Sequence, residues 1–500
     1  MNDSSSPVAA APMQGRAWRY ALYAALVAAT IAVSLFAHVR AGLSLPVPWE
    51  DESAFLWQAV SVAEHNTLLA PQINPQRPLM WMPPGYAVAM GLLFKLVPFS
   101  LPAARAVSWL LGVAVFLAML WLFRKQRPIV LVLLSTALFY LGAPFVVMGN
   151  TARMEALLLL LVVSAMIALD ADRPYISLAI LMLCPLVHPN GLIFLGLGLL
   201  IGAWAWRHKP PLGRTDRVLL AVSLLFLILY GIYVIANWQA FTTDIAYQLQ
   251  LKAGRGLLSS LLHSTDMQAL VLLFSLIGGG HVLLLRRATP VLLLGAFSLL
   301  VPLVADELWY GVFASVAFAT LTPLALDIVG ELARRRPVFG QNATRVASLI
   351  AVIVLLGLAW ANGFIEGPRS YPGNMRWGGG MRVSDGVPYL IAEDKAAVMA
   401  AITHQLAGAS RRTVEFYPSA DGLLFWPEKG RDFMPWQPLF SSDPSCVVAM
   451  HVSHYFPRWW DGEIQQVMQS WQLTDSDIVQ SRDRAETWYV KRLPSCTTGG

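Results

Sequence analysis

Apolar runs free of charge, each near the length of about 20 residues that crosses a bilayer as helix, recur between Tyr20 and Phe364. This patterning leaves few options. A chain of 500 residues that is 56% hydrophobic and 13% charged is too apolar for an ordinary soluble enzyme. The runs predict a polytopic α-helical membrane protein with about eleven transmembrane helices, near 18–39, 103–123, 128–148, 155–169, 174–187, 191–206, 218–238, 267–285, 290–305, 308–330 and 345–364. Ala87 to Val97 is too short to span and is assigned to the interface. The run from Tyr20 to Ala37 lacks a convincing cleavage site and reads as a retained first helix.

The net charge of +6 is not gathered into a nucleic-acid-binding patch. Basic residues recur in short loops, and threading the helices places Arg16, Arg19, Arg124, Lys125, Arg173, Lys209, Arg217, Arg286, Arg334 and Arg345 on one side. By the positive-inside rule that side is the cytoplasm, with residues 1–17 as its amino-terminal segment. Opposite loops carry most of the acids, including Glu50, Asp51, Glu52, Glu155, Asp244 and Asp266, and the first of them spans 40–102. The fourth to sixth helices read short. That places the turns Thr151–Glu155 and His188-Pro-Asn-Gly191 on the floor of a cavity open to the outside.

From Ile365 the composition turns to Gly, Pro, Arg and Trp, and the remaining residues, 365–500, pattern as a small extracytoplasmic α/β domain. Glu393–Leu406 and Asp461–Trp471 read as helices; Thr413–Tyr417, Cys446–Val452, Ile478–Gln480 and Trp488–Lys491 read as strands. Cys446 and Cys496 pair if this tail lies in an oxidising compartment, whereas Cys184 sits in an apolar segment. His451 and His454 have strand-like spacing but no third ligand type nearby to make a metal site.

The stretch Trp49–Tyr86 organises the rest. Three acids, Glu50, Asp51 and Glu52, follow the first apolar run, and Phe55, Ala59, Val62 and Ala63 predict an amphipathic helix over Ser53–Ala63 lying in the interface. Two readings of the acids stand side by side. Carboxylates at a helix amino terminus complement the macrodipole; a carboxylate at the membrane surface also serves as general base on a hydroxyl. The cations on the same side are Arg77, Arg153, Lys252 and Arg255, with His65, His188 and His263 nearby in topology. Lys95 and Arg105 read as side chains snorkelling to the headgroups, and Trp81, Tyr86, Trp309 and Tyr310 as interfacial belt residues.

Taken together, Asp51-Glu52 with Phe55, the Met82-Pro-Pro-Gly-Tyr86 stretch running to Lys95, Thr151-Ala-Arg-Met-Glu155 and His188-Pro-Asn-Gly191 resemble the GT-C membrane glycosyltransferases. The pattern is similar to the glycosyltransferase family 39 group, with its protein mannosyltransferases and lipid A aminoarabinose transferase. The resemblance covers the first two hundred residues best. It implies a bacterial inner-membrane enzyme that takes a sugar from a polyprenyl-phosphate donor to a glycan, lipid or protein acceptor on the periplasmic face. Asp51 matches the catalytic carboxylate, Glu52 its neighbour and Glu155 the second acidic position. Tyr86, Arg153, His188 and Asn190 then join the donor site. Met82 stands where some relatives carry a phosphate-contacting lysine, so phosphate binding falls to Arg77, Arg153, Lys252 or Arg255.

The chemistry asks for one carboxylate and several cations, because a lipid phosphate is already a serviceable leaving group. No cofactor is required, although oxygen ligands from Asp51 and Glu155 leave a divalent cation open. Two readings of other classes remain: a transporter or lipid flippase, and a scaffold whose tail binds envelope partners.

Overall fold

The computed structural model describes residues 14–42, 50–361 and 390–496, except 71–72, 75, 127, 210, 252–264, 287, 305–309, 336–339, 410–412, 418–420, 426–431, 436–444, 454–460, 484–485 and 495. The described helices before the tail are α1 (Gln14–Ala41), α2 (Glu50–His65), α3 (Gly85–Phe94), α4 (Leu101–Phe123), α5 (Ile129–Tyr140), α6 (Ala143–Gly149), α7 (Glu155–Asp170), α8 (Pro174–Leu181), α9 (Cys184–Val187), α10 (Gly191–His208), α11 (Arg214–Ala236), α12 (Trp238–Leu251), α13 (Thr265–Leu285), α14 (Pro290–Val304), α15 (Gly311–Arg335) and α16 (Gln341–Ala361). Among them α15 is the axis, buried continuously from Gly311 to Leu324. By contrast α11 presents nearly all its apolar surface outward, as a lipid-facing helix does.

Among the described residues seven helices, α1, α4, α10, α11, α13, α15 and α16, are long and apolar enough to cross a membrane. That fits a polytopic helical protein, and the expected count of about eleven is not confirmed. The run 128–148 divides after Tyr140, with Gly142 as the cap and Pro144 in the first turn of α6. The run 174–187 divides into α8 and α9, where Pro185 opens the second piece. Proline removes an intrahelical donor and clashes with the preceding turn, so an uninterrupted apolar run does not guarantee an uninterrupted helix. Ala87–Val97 forms no span, in line with its length: α3 has ten residues.

The helix expected over Ser53–Ala63 exists, as part of α2, but its apolar face is covered by protein and not left for lipid. Every residue from Glu52 to Val62 is buried. One side packs on α3 and another on the tail, whose short helix α18 (Asp421–Leu424) touches α2. Trp57 is fully enclosed.

The tail also contains α17 (Ala392–Gln405), α19 (Asp461–Ser470) and a five-stranded sheet of order β2-β1-β3-β5-β4. Its strands are β1 (Thr413–Tyr417), β2 (Asp432–Pro435), β3 (Val447–Ser453), β4 (Ile478–Asp483) and β5 (Glu486–Arg492). Strand β1 runs parallel to β2 and β3, while β5 is antiparallel to β3 and β4. The expected strands and helices all form within a few residues of their predicted limits; β2 and α18 were not expected. Cys446 and Cys496 are disulfide-bonded, with Cα atoms 4.7 Å apart.

Candidate functional site

The first turn of α2 presents Asp51 and Glu52 to the ends of three other segments. Glu52 Oε1 accepts from Arg105 Nε at 3.1 Å and from the Ala152 backbone N–H at 2.6 Å, and Oε2 accepts from Arg105 Nη2 at 2.6 Å. Arg105 Nη1 donates to the Gly42 carbonyl at 3.4 Å. One fork-to-fork ion pair thus ties the carboxyl end of α1, the start of α2, the first turns of α4 and the loop before α7. Both side chains are almost entirely buried. Arg105 does not snorkel. Its guanidinium is satisfied by a carboxylate and a carbonyl inside the protein, geometry that an ammonium point charge would not match.

The second cluster begins one residue away. Arg153 Nη1 donates to Asp51 Oδ2 at 2.5 Å, Nη2 to Glu155 Oε1 at 3.0 Å, and Nε to the same Oε1 at 3.2 Å. The guanidinium also lies over the Phe55 ring, 5.5 Å from its centroid. Burial alone would lower the Arg153 pKa, but Glu155 and Asp51 outweigh it and hold the group above its ordinary value. It is a permanent cation. Glu155 opens α7, where the macrodipole favours its charge.

His188 lies buried beside Glu155. Its Nδ1 accepts the Asn190 backbone N–H at 3.0 Å, which leaves the proton of the neutral ring on Nε2, 3.9 Å from Glu155 Oε1. Tyr310 meets the ring edge-on at 5.6 Å. The Asn190 Nδ2 is buried without a hydrogen bond among the described residues. Two glycines bring the expected segments together. A Cβ on Gly85 would stand 2.4 Å from the Leu186 carbonyl oxygen, and one on Gly191 would stand 2.2 Å from that of Cys184. Only a residue without a side chain lets position 85 seat against α9 and lets the His188–Gly191 turn close on Cys184 this tightly.

Exposure separates the acids. The Asp51 side chain is 32% exposed, against 0% for Glu52 and 2% for Glu155. Asp51 Oδ2 is held by Arg153, and Oδ1 forms no hydrogen bond among the described residues. The cluster therefore presents one carboxylate outward, backed by a buried cation.

Several expectations change. Trp81 packs on the Phe55 ring at 5.5 Å, and Tyr86 and Tyr310 are buried, so these three are packing residues and not belt residues. Arg77 pairs with Asp244 at 2.6 Å, and the other Asp244 oxygen accepts the Met80 backbone N–H at 2.7 Å. This clasp joins α12 to the loop before α3. The place between Asp51 and Glu155, where a divalent cation was open, is filled by the Arg153 guanidinium. No group of metal-binding side chains occurs among the described residues. His451 pairs with Asp421 and Glu486. Lys252, Arg255, His263, Trp309 and His454 lie outside the described residues.

Sequence reasoning missed Arg105 as the partner of Glu52 and Asp244 as the partner of Arg77. A lone arginine in the first turns of an apolar helix gives the same pattern whether it meets lipid phosphate or a buried carboxylate.

The chain is thus a helical protein with multiple membrane-spanning segments and a sheet domain packed over the acid-bearing helix. No protein-family model matches it, and no curated protein matches it significantly.

Proposed function

We propose that the protein is a membrane glycosyltransferase of GT-C type that moves a sugar from a polyprenyl-phosphate donor to an acceptor hydroxyl, with Asp51 as general base. The observation that carries this reading is the contrast among three adjacent acids: Glu52 and Glu155 are consumed by buried arginines, and Asp51 faces outward. Asp51 takes the proton from the acceptor hydroxyl as that oxygen attacks the anomeric carbon. The bond from that carbon to the phosphate oxygen breaks, and its electron pair leaves with the polyprenyl phosphate. A single displacement of this kind inverts the anomeric carbon.

Charge balance restricts how the donor is held. Arg105 and Arg153 face Asp51, Glu52 and Glu155, so this cluster carries more negative than positive charge, and Arg77 is matched by Asp244. A phosphate therefore needs further cations, and Lys252 and Arg255 are the residues the sequence offers. Glu52 is a positioning residue in this scheme and not a second base. His188 and Asn190 supply donors on the cavity floor.

The periplasmic face of a bacterial inner membrane is the working location in this reading, with a lipid, glycan or protein as acceptor. The test uses the full-length protein in liposomes, with lipid extract from cells lacking it as the donor source. Transfer of the accumulated lipid-linked sugar by the wild type, lost in Asp51→Asn, is the expected result. Undiminished turnover by Asp51→Asn rejects the assignment, and vesicle uptake of substrate without chemical change points to a transporter instead.

A further inference from the structure

At the end of the bundle away from Asp51, a cavity of about 810 Å³ opens among the first turns of α1, α5 and α16 and the last turns of α15. Tyr23 of α1 lies fifteen residues, about 22 Å along the helix, from His38, which bonds Asn150 beside the acidic cluster. The two sites are separate.

The lining is amphipathic in an ordered way. Gln341, Thr344, Arg345 and Ser348 all line it, spaced i, i+3, i+4, i+7 along one face of α16. Ile129 and Leu326 form an apolar wall opposite, and Tyr20 and Tyr23 flank it from α1. Tyr20 and Gln341 are the first residues of the apolar spans of their helices, which sets the polar wall at headgroup depth. Arg345 forms no ion pair among the described residues, and no described lining residue is acidic. Polar side chains and, among the described residues, one unpaired cation at that depth, beside an apolar wall, match the two parts of an anionic lipid. Its volume falls in the ordinary range for small-ligand sites.

We propose that this cavity binds one anionic phospholipid of the surrounding bilayer. Its phosphate sits at Arg345 and the hydroxyls of Thr344 and Ser348, and its acyl chains leave along Ile129 and Leu326. Basic, hydroxyl-rich clefts between spanning helices recognise lipid headgroups by this combination of charge and apolar wall.

The probe is phosphatidylglycerol titrated into the full-length protein in phosphatidylcholine nanodiscs, read as thermal unfolding midpoint and as lipid retained in native mass spectrometry. One retained phosphatidylglycerol and a midpoint that rises with its concentration are expected. Arg345 is exposed, so Arg345→Gln folds and weakens that binding by about fivefold, the worth of one arginine at a lipid surface. A Cβ on Gly330, which also lines the cavity, meets nothing within 4 Å. Gly330→Leu therefore places its Cβ without a clash, narrows the cavity and weakens retention. Equal effects of phosphatidylglycerol and phosphatidylcholine overturn the proposal, as does unchanged binding in both variants. Displacement of phosphatidylglycerol by an equimolar polyprenyl monophosphate gives the cavity to that carrier and overturns it also.

Discussion

Glu52 accepts three hydrogen bonds where water does not reach, while Asp51, one residue earlier, keeps a third of its side chain in contact with solvent. Substituting each therefore reads out a different property. Glu52→Gln strands the Arg105 charge in a buried site and should cost about 3–5 kcal/mol, measured as a fall in unfolding midpoint. Replacing the pair together with apolar residues of similar volume should cost less than either single change, which a double-mutant cycle measures. Asp51→Asn keeps an oxygen for Arg153, whose charge Glu155 still faces, and should lower the midpoint less than Glu52→Gln does, while transfer falls by at least about 100-fold. A stable Glu52→Gln protein would remove the supporting role assigned to that residue. The adjacency of the acids and their place beyond the first apolar run were legible in the sequence. The partner of Glu52 was not, because Arg105 lies 53 residues away and no local pattern reports an ion pair across that separation.

Helix packing around the site turns on close backbone approaches. Gly85 opens α3 against the Leu186 carbonyl of α9, so Gly85→Ala forces the two segments apart. Overpacking of this kind costs about 1–3 kcal/mol, and it shifts the turn that carries His188 relative to Asp51. Turnover should fall although every polar side chain of the site is retained; the check is the kcat of Gly85→Ala alongside its midpoint. Equal activity with a lowered midpoint would confine the glycine to stability. Periodicity foretold α2, the tail helices and β1, β3, β4 and β5, since alternation and helical spacing are local properties. It misjudged the surroundings of α2. An apolar stripe at Phe55 and Ala59 suits lipid or protein equally, and the covering residues come from more than 350 positions later, in α18. Strand β2 escaped notice because four residues ending in Pro435 make too short a pattern.

The tail meets α2 through α18, which a buried charge cluster within the tail holds in place. Fully enclosed, His451 contacts Asp421 at 3.3 Å and Glu486 at 2.9 Å and stacks on Trp488 with centroids 4.2 Å apart. Asp421 begins α18, the helix that touches α2, so the state of His451 bears on how firmly the sheet domain covers the helix of Asp51. Burial lowers the His451 pKa, but the two carboxylates outweigh it and the group titrates above its ordinary value of 6.5. Burial pushes Glu415 of β1 from 4.5 up to about 7, against the pull of the Ser445 hydroxyl that donates to it. Both folded pKa values are raised. Each group therefore stabilises the tail fully below its unfolded value, and that stability is lost as pH rises through the folded value. For Glu415 the window runs from about 4.5 to about 7, worth on the order of 3 kcal/mol, and His451 extends it to higher pH. Amide hydrogen exchange in β1, β3 and α2, corrected for intrinsic rates, should quicken between pH 5 and pH 8. Glu415→Gln, which keeps a neutral acceptor for Ser445, should remove the lower part of that slope and leave the part due to His451. A flat profile in the wild type would mean that these buried groups do not control the tail, and that its hold on α2 rests on apolar packing around Trp57 alone.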